Sequence, residues 1–172
     1  MNLIIREANS NDVDNILLLY KQVDDLHCCV LPKIFKESKE IIRTRDFFEQ
    51  IFEDESASLL VAECKSQLVG FVEAYIRETN HPALKPRRYG HVSDIVVDYH
   101  YRRKGIGHRL MSQTHQWILS KGITDVELGV FSFNKEASSF YSKLGYKNKL
   151  CIMNLLLKET ECAGDEPFHP TQ

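Results

Sequence analysis

Arg102, Arg103 and Lys104 are followed at once by Gly105, Ile106, Gly107 and His108, and this basic, glycine-spaced stretch joins an apolar run to an amphipathic one. Residues 91–98 read as a strand, with β-branched side chains at Ile95, Val96 and Val97, and Ile106, Leu110, Thr114, Trp117 and Ile118 then recur at helical spacing. Two glycines let such a turn bring several backbone N–H groups to face one point. Those groups, the positive end of the helix dipole and three consecutive cations make a cradle for a phosphate or another anion. Spacing excludes two common loops. A dinucleotide fingerprint needs a third glycine where Leu110 stands, and a Walker loop needs a longer glycine spacing followed by Gly-Lys-Ser/Thr. A basic surface turn ahead of a helix is the plain alternative.

What fits is Arg-x-x-Gly-x-Gly over residues 102–107, preceded five residues earlier by Val97. Further on, residues 134–146 read Asn-x-x-Ala-x-x-Phe-Tyr-x-x-x-Gly-Tyr. The two landmarks, in this order, resemble motif A and the later helix motif of the GNAT N-acetyltransferases.

The resemblance implies a loop that binds the pyrophosphate of acetyl-CoA through backbone N–H groups from Arg103 to His108, with the side chains of Arg102, Arg103 and Lys104 at its rim. It implies two neighbouring strands, 91–98 and 125–131, splayed so that the backbone at Ile95, Val96 and Val97 is open to the pantetheine arm. Gly129 suits a close approach there, or a simple bulge. Asn134 resembles the residue that hydrogen-bonds the cofactor arm, and it serves equally as a helix cap. Tyr141 matches the tyrosine placed beside the cofactor sulfur as general acid; packing beneath the sheet is the other reading. Tyr99 stands where the family often has proline.

The general base is open, because an ammonium can lose its proton to a side chain or through water. Strand alternation places His91, Ser93, Ile95 and Val97 on one face. His91 lies eleven residues before Arg102, where histone-type members carry a glutamate base, and a neutral imidazole can do that work near pH 7. Glu73, amid Phe71, Val72 and Tyr75, is the second candidate unless it points outward into solvent. Asp24, Asp25 and His27 stand where they can attract an acceptor ammonium.

The 172 residues carry a formal net charge of −2 with 43% hydrophobic residues, which suits one globular domain over 1–158 and argues against a nucleic-acid binder. Residues 159–172 are expected to be a polar, disordered tail. No apolar run reaches membrane-span length and the N-terminus lacks a secretory pattern, so a cytoplasmic protein with no membrane partner is expected. Five cysteines without metal-ligand spacing are read as reduced thiols, and no metal is expected.

In order, the pattern predicts a strand over 3–7, a helix from Ser10 or Asn11 to about 25, a helix over roughly 38–53, a hairpin of 58–64 and 68–77, and a loop over 81–90 edging the acceptor site. The 91–98 strand, the loop, a helix to about 121, a strand over 125–131, a helix from Asn134 and a last strand within 149–157 complete it. This is an α+β chain with a mixed central sheet covered by helices on both faces.

The expected activity is acetyl-CoA-dependent acetylation of a primary amine by direct attack in a ternary complex, the acceptor being a small molecule, peptide or protein. A non-catalytic acyl-CoA sensor of the same fold is the alternative. Dimers are common in the family, and no residue here specifies an interface.

Overall fold

A computed structural model describes residues 2–37, 43–79 and 81–157. Five strands, β1 (Leu3–Glu7), β2 (Ala57–Cys64), β3 (Gln67–Glu78), β4 (Arg88–Val97) and β5 (Val126–Leu128), form one sheet in chain order. The first three pairings are antiparallel and β4–β5 is parallel, so the sheet is mixed as expected.

The helices divide between the two faces. α1 (Val13–Val30) and α2 (Arg45–Glu53) cover one side, where Val13, Ile16, Tyr20 and Phe48 pack on Val61, Phe71 and Val96. α3 (Ile106–Ser120) and α4 (Lys135–Lys143) cover the other. There Ile106, Leu110 and Met111 meet Val72, Ala74 and Val92, with Phe140 and Leu144 of α4 against them. The period-2 alternation of β3 and β4 feeds both cores, which is why these central strands read as nearly continuous apolar runs.

Local signals explain the boundaries. Asn9 accepts from the N–H of Asn11, while the Asp12 carboxylate accepts from the N–H of Asn9 and from Arg6 at 2.7 and 2.9 Å. This paired box caps a short 3-10 turn over residues 10–12 that leads directly into α1, and Asp12 ties that turn to β1 through Arg6. α1 continues past residue 25 to Val30, so His27, Cys28 and Cys29 are helical rather than part of a loop. α2 begins at Arg45 with Thr44 as its cap; the expected start at residue 38 lies outside the described residues.

Two strand expectations are corrected. The 125–131 strand shrinks to three residues, because β5 pairs with β4 only over Gly90–Val92. Residues 149–157 form no strand: Leu150, Ile152, Met153, Leu155, Leu156 and Leu157 stand exposed, and among the described residues no backbone ladder reaches them.

Candidate active site

A bulge in β4 organises the site. Glu73 lies opposite Asp94 in the β3–β4 ladder, yet the next pair is Ala74 with Val92, so Ser93 is the extra residue. An inserted residue reverses which face the preceding side chains take. Ile95 and Val97 remain on the α3 side with Val92. His91, paired with Tyr75, moves to the α1 side beside Asp94 and Val96. His91 therefore does not share a face with Ile95 and Val97, contrary to simple alternation. Burial holds its imidazole below the usual range, and Arg77 adds to this.

On the α1 side, next to the bulge, stands a carboxylate pair. Glu73 is 3% exposed and accepts from Tyr20 Oη at 2.5 Å and from Tyr75 Oη at 2.8 Å, so its buried charge-bearing end has a hydroxyl on each oxygen. It is buried and partnered rather than turned outward. Asp94 beside it has one long contact among the described residues, 3.5 Å from Ser93 Oγ. Burial first, and the neighbouring Glu73 charge second, push the Asp94 carboxyl up to about 6. Arg43 opposes that rise from the helix side, held by Asp24 at 2.8 Å with its guanidinium 3.6 Å from the Tyr20 ring centroid.

Tyr141 approaches from α4. Burial, and then the charge of Asp94, raise its phenol to about 12, so it keeps its proton at neutral pH and stands within electrostatic reach of Asp94. α4 can reach there because β4 and β5 separate beyond Val92. Asn134 caps α4, its Oδ1 accepting from the N–H of Ala137 at 3.0 Å, which leaves its amide donors for another partner. Gly129, just past β5, has open space where a Cβ would stand.

The cradle is built as the glycine spacing requires. Arg103 (φ 61°) and Gly105 (φ 77°) both take the left-handed conformation, folding the loop so that α3 starts without any side-chain cap. The N–H groups of Ile106, Gly107 and His108 have no acceptor among the described residues. The three cations turn back onto the protein instead of into the cradle. Arg102 Nε donates to the Val97 carbonyl at 3.1 Å, Arg103 Nε to Glu136 at 3.0 Å, and Lys104 Nζ to the His100 carbonyl at 3.0 Å. Loop entry is held by Asp98, which accepts from Gln22 at 2.8 Å and from the His100 N–H. Tyr99 donates its own N–H to Gln22, a bond that proline cannot make.

Other expectations fare differently. Asp24 is ion-paired to Arg43 and Asp25 to Lys21, so that acidic helix end carries its own cations. His27 packs among Phe35, Phe131 and Phe133, with ring centroids 4.7 to 5.9 Å away. The expected 81–90 loop ends at Arg87, since Arg88, Tyr89 and Gly90 already pair with β3 as the start of β4, and Arg87 ties it to Glu127 of β5 and to Asp125 just before it. The sequence reading did not select Asp94, Tyr20, Tyr75 or Arg43. The one available signal was a lone carboxylate within a β-branched strand.

A mixed sheet that separates at β4–β5 and a cap-free helix start beyond the loop after β4 are features this chain shares with an established class of transferases. The acetyltransferase (GNAT) family matches residues 20–146, and the chain belongs to that family and is an acetyltransferase. A thialysine N-epsilon-acetyltransferase of Bos taurus is 31% identical over 151 residues, covering 83% of each chain. An N-acetyltransferase of Methanocaldococcus jannaschii is 27% identical over 152 residues; the match covers 88% of this chain and 64% of that relative's length. In structure, a tetramutant of the BH1408 protein from Bacillus halodurans superposes with a TM-score of 0.84 at 26% identity, covering 90% of this chain and 99% of that one.

Proposed function

We propose that the protein transfers the acetyl group of acetyl-CoA directly to a primary amine, with Asp94 as the proton acceptor and Tyr141 as the proton donor. The observation that carries this reading is the Glu73–Asp94 pair: Glu73 has its hydrogen bonds filled, while Asp94 is half-buried, raised to about 6 and left open to receive an ammonium.

The donor side fits the residues present. The unoccupied N–H groups of Ile106, Gly107 and His108 at a helix start suit a pyrophosphate, and the side of β4 freed from β5 beyond Val92 suits the extended amide-bearing arm at Ile95, Val96 and Val97. When bound, acetyl-CoA supplies an activated acyl group on a thiol leaving group.

The chain's own residues then divide the work. The anionic pair draws the acceptor's ammonium to the α1 side of β4. Asp94 takes its proton, directly or through water, because a base near 6 is a competent acceptor at pH 7 and above. The freed amine attacks the acyl carbon, the C–N bond forms, and the C–S bond breaks. Tyr141, protonated up to about 12, gives its proton to the departing sulfur and recovers one from solvent. Glu73 acts by position: its charge keeps Asp94 a stronger base. His91, on the same face, stands as a second proton acceptor, and Asn134 as a donor to the cofactor arm.

The acceptor class starts from the bovine relative, whose name gives an amino acid with a side-chain amine. The test is release of free thiol from acetyl-CoA across amino acids, polyamines, aminoglycosides and peptides, with acetyl-CoA binding measured by calorimetry. Turnover with one class supports the reading. Binding with no turnover across the panel favours an acyl-CoA sensor, and no binding overturns the donor assignment.

A further inference from the structure

The carboxylates on the α1 side of the site are unequally used. Glu73 has both oxygens taken by the hydroxyls of Tyr20 and Tyr75, Asp24 is held by Arg43, and the neighbouring Asp25 pairs with Lys21. Asp94 has no bonded cation among the described residues. An acceptor that brought two ammonium groups would therefore find an open carboxylate for one of them.

Arg43 is only partly used as well. Its side chain is 18% exposed, and one edge of the guanidinium engages Asp24, with Nη1 2.8 Å from one oxygen and Nη2 3.4 Å from the other. A guanidinium has five N–H donors, so Nε–H and the second N–H of each terminal nitrogen have no acceptor among the described residues. For a charged group so little exposed, donors without acceptors are costly. The guanidinium lies 3.6 Å from the Tyr20 ring centroid, and Tyr20 Oη donates to Glu73, which faces Asp94 across the ladder. Arg43 and Asp94 are thus set on one wall, within reach of each other's charge, and no hydrogen bond or ion pair joins them among the described residues. An open cation and an open anion held apart match a molecule that carries the opposite pair.

We propose that the acceptor is an amino acid, with its reacting amine at Asp94 and its carboxylate on the open N–H edge of Arg43. The inference rests on the transfer reading and adds a second point of attachment to it. A carboxylate received by a planar fork that Tyr20 and Asp24 hold in place fixes the direction from which the amine meets the acyl carbon. A diamine of the same length presents an ammonium to Arg43 instead, and the like charges repel. Arg43 touches no reacting atom; it selects and positions the part of the acceptor that does not react.

Lysine and cadaverine differ only in the carboxylate, and thiol release from acetyl-CoA by the full chain with each of them is the test. The wild type should use lysine with a kcat/KM roughly tenfold or more above that for cadaverine. Arg43→Ala should remove the preference, chiefly through a KM for lysine raised roughly 10–100-fold, the effect of losing a charge-assisted bond. Arg43→Lys keeps a cation beside Asp24 without the planar fork and should recover part of the preference. An arginine with a structural role alone would slow both substrates alike and leave their ratio unchanged. Should Arg43→Ala lose its fold by circular dichroism, Arg43→Lys decides, and an undiminished lysine preference is then the overturning result. Cadaverine used as readily as lysine by the wild type overturns the inference and leaves the transfer reading standing, as does a lysine preference that survives in folded Arg43→Ala. No thiol release with any amine overturns the transfer reading, and this inference with it.

Discussion

Glu73 and Asp94 face each other across the β3–β4 ladder, immediately beside the extra residue Ser93. Burial first, and the facing Glu73 charge second, raise the Asp94 carboxyl's affinity for a proton. Both oxygens of Glu73 are taken by the hydroxyls of Tyr20 and Tyr75, while Asp94 stays open.

Asp94→Asn should abolish transfer while leaving acetyl-CoA affinity unchanged, because the side chain lies on the acceptor face. In the wild type, kcat/KM should fall as the amine protonates and then steepen below pH about 6 as Asp94 takes up its proton; the variant lacks this second break. The stability effect has the opposite sense. The folded-state value exceeds the ordinary aspartate value, so between about pH 4 and 6 the native state binds a proton that the unfolded chain has lost, and stability drops as pH rises through that window. Asn never carries the charge, so at pH 8 the variant should be more stable, by on the order of 2 kcal/mol in urea unfolding. A variant no more stable than the wild type at pH 8 contradicts the burial argument.

Glu73→Gln replaces one acceptor oxygen with an amide that cannot accept from a phenol. One of Tyr20 and Tyr75 loses its partner, and a loss of about 1–3 kcal/mol is expected. Removing the charge next to Asp94 should also move the lower break in the kcat/KM profile below 6. A break that stays in place shows that Asp94 is raised by burial alone.

Tyr141→Phe should bind acetyl-CoA as the wild type does and turn over about 10²-fold more slowly or worse, the usual range for a lost general acid. Stopped-flow acetyl transfer at saturating donor is the measurement, and an unchanged rate removes Tyr141 from the mechanism.

His108→Pro removes one cradle N–H in the first helical turn, where no intrahelical bond is lost. Loss of a charge-assisted hydrogen bond of about 1.5–3 kcal/mol should raise the Kd for acetyl-CoA roughly 10–100-fold. His108→Ala keeps the N–H and should keep the affinity. Equal Kd values for the two variants would falsify backbone recognition at this position.

Gly70→Ala tests the support of β4. A Cβ there would stand 2.7 Å from the Val96 carbonyl, a backbone atom that can move only if the strand does. Unfolding should show a loss of about 1–3 kcal/mol from overpacking, with acceptor KM raised because Val96 lies two residues from Asp94.

The open helix start at Gly105 and the Asn134 cap were legible in the sequence because their geometry is local. Gly105 and Gly107 in fixed register with a strand end and a helix start dictate an open N-terminus, and Asn134 three residues before Ala137 dictates a cap. The cations were read less well. Three adjacent positive charges signalled a rim, but Arg102, Arg103 and Lys104 each found acceptors on the protein that adjacency cannot reveal.

The acceptor side was not legible. His91 was placed with Ile95 and Val97 by the period of two, and one bulged residue reversed its face. Asp94 is the open, half-buried member of a pair surrounded by Tyr20 from α1 and Arg43 from the segment before α2, 74 and 51 positions from it in sequence. The sequence by itself determined the order of elements as far as α4, the open start of α3 and the helix carrying Tyr141, because propensity, capping and glycine conformation act over a few residues. Tertiary structure alone decided where β4 bulges, which carboxylate is left open and where the apolar 150–157 segment stands, because register and burial are set by the strands and helices that pack around them.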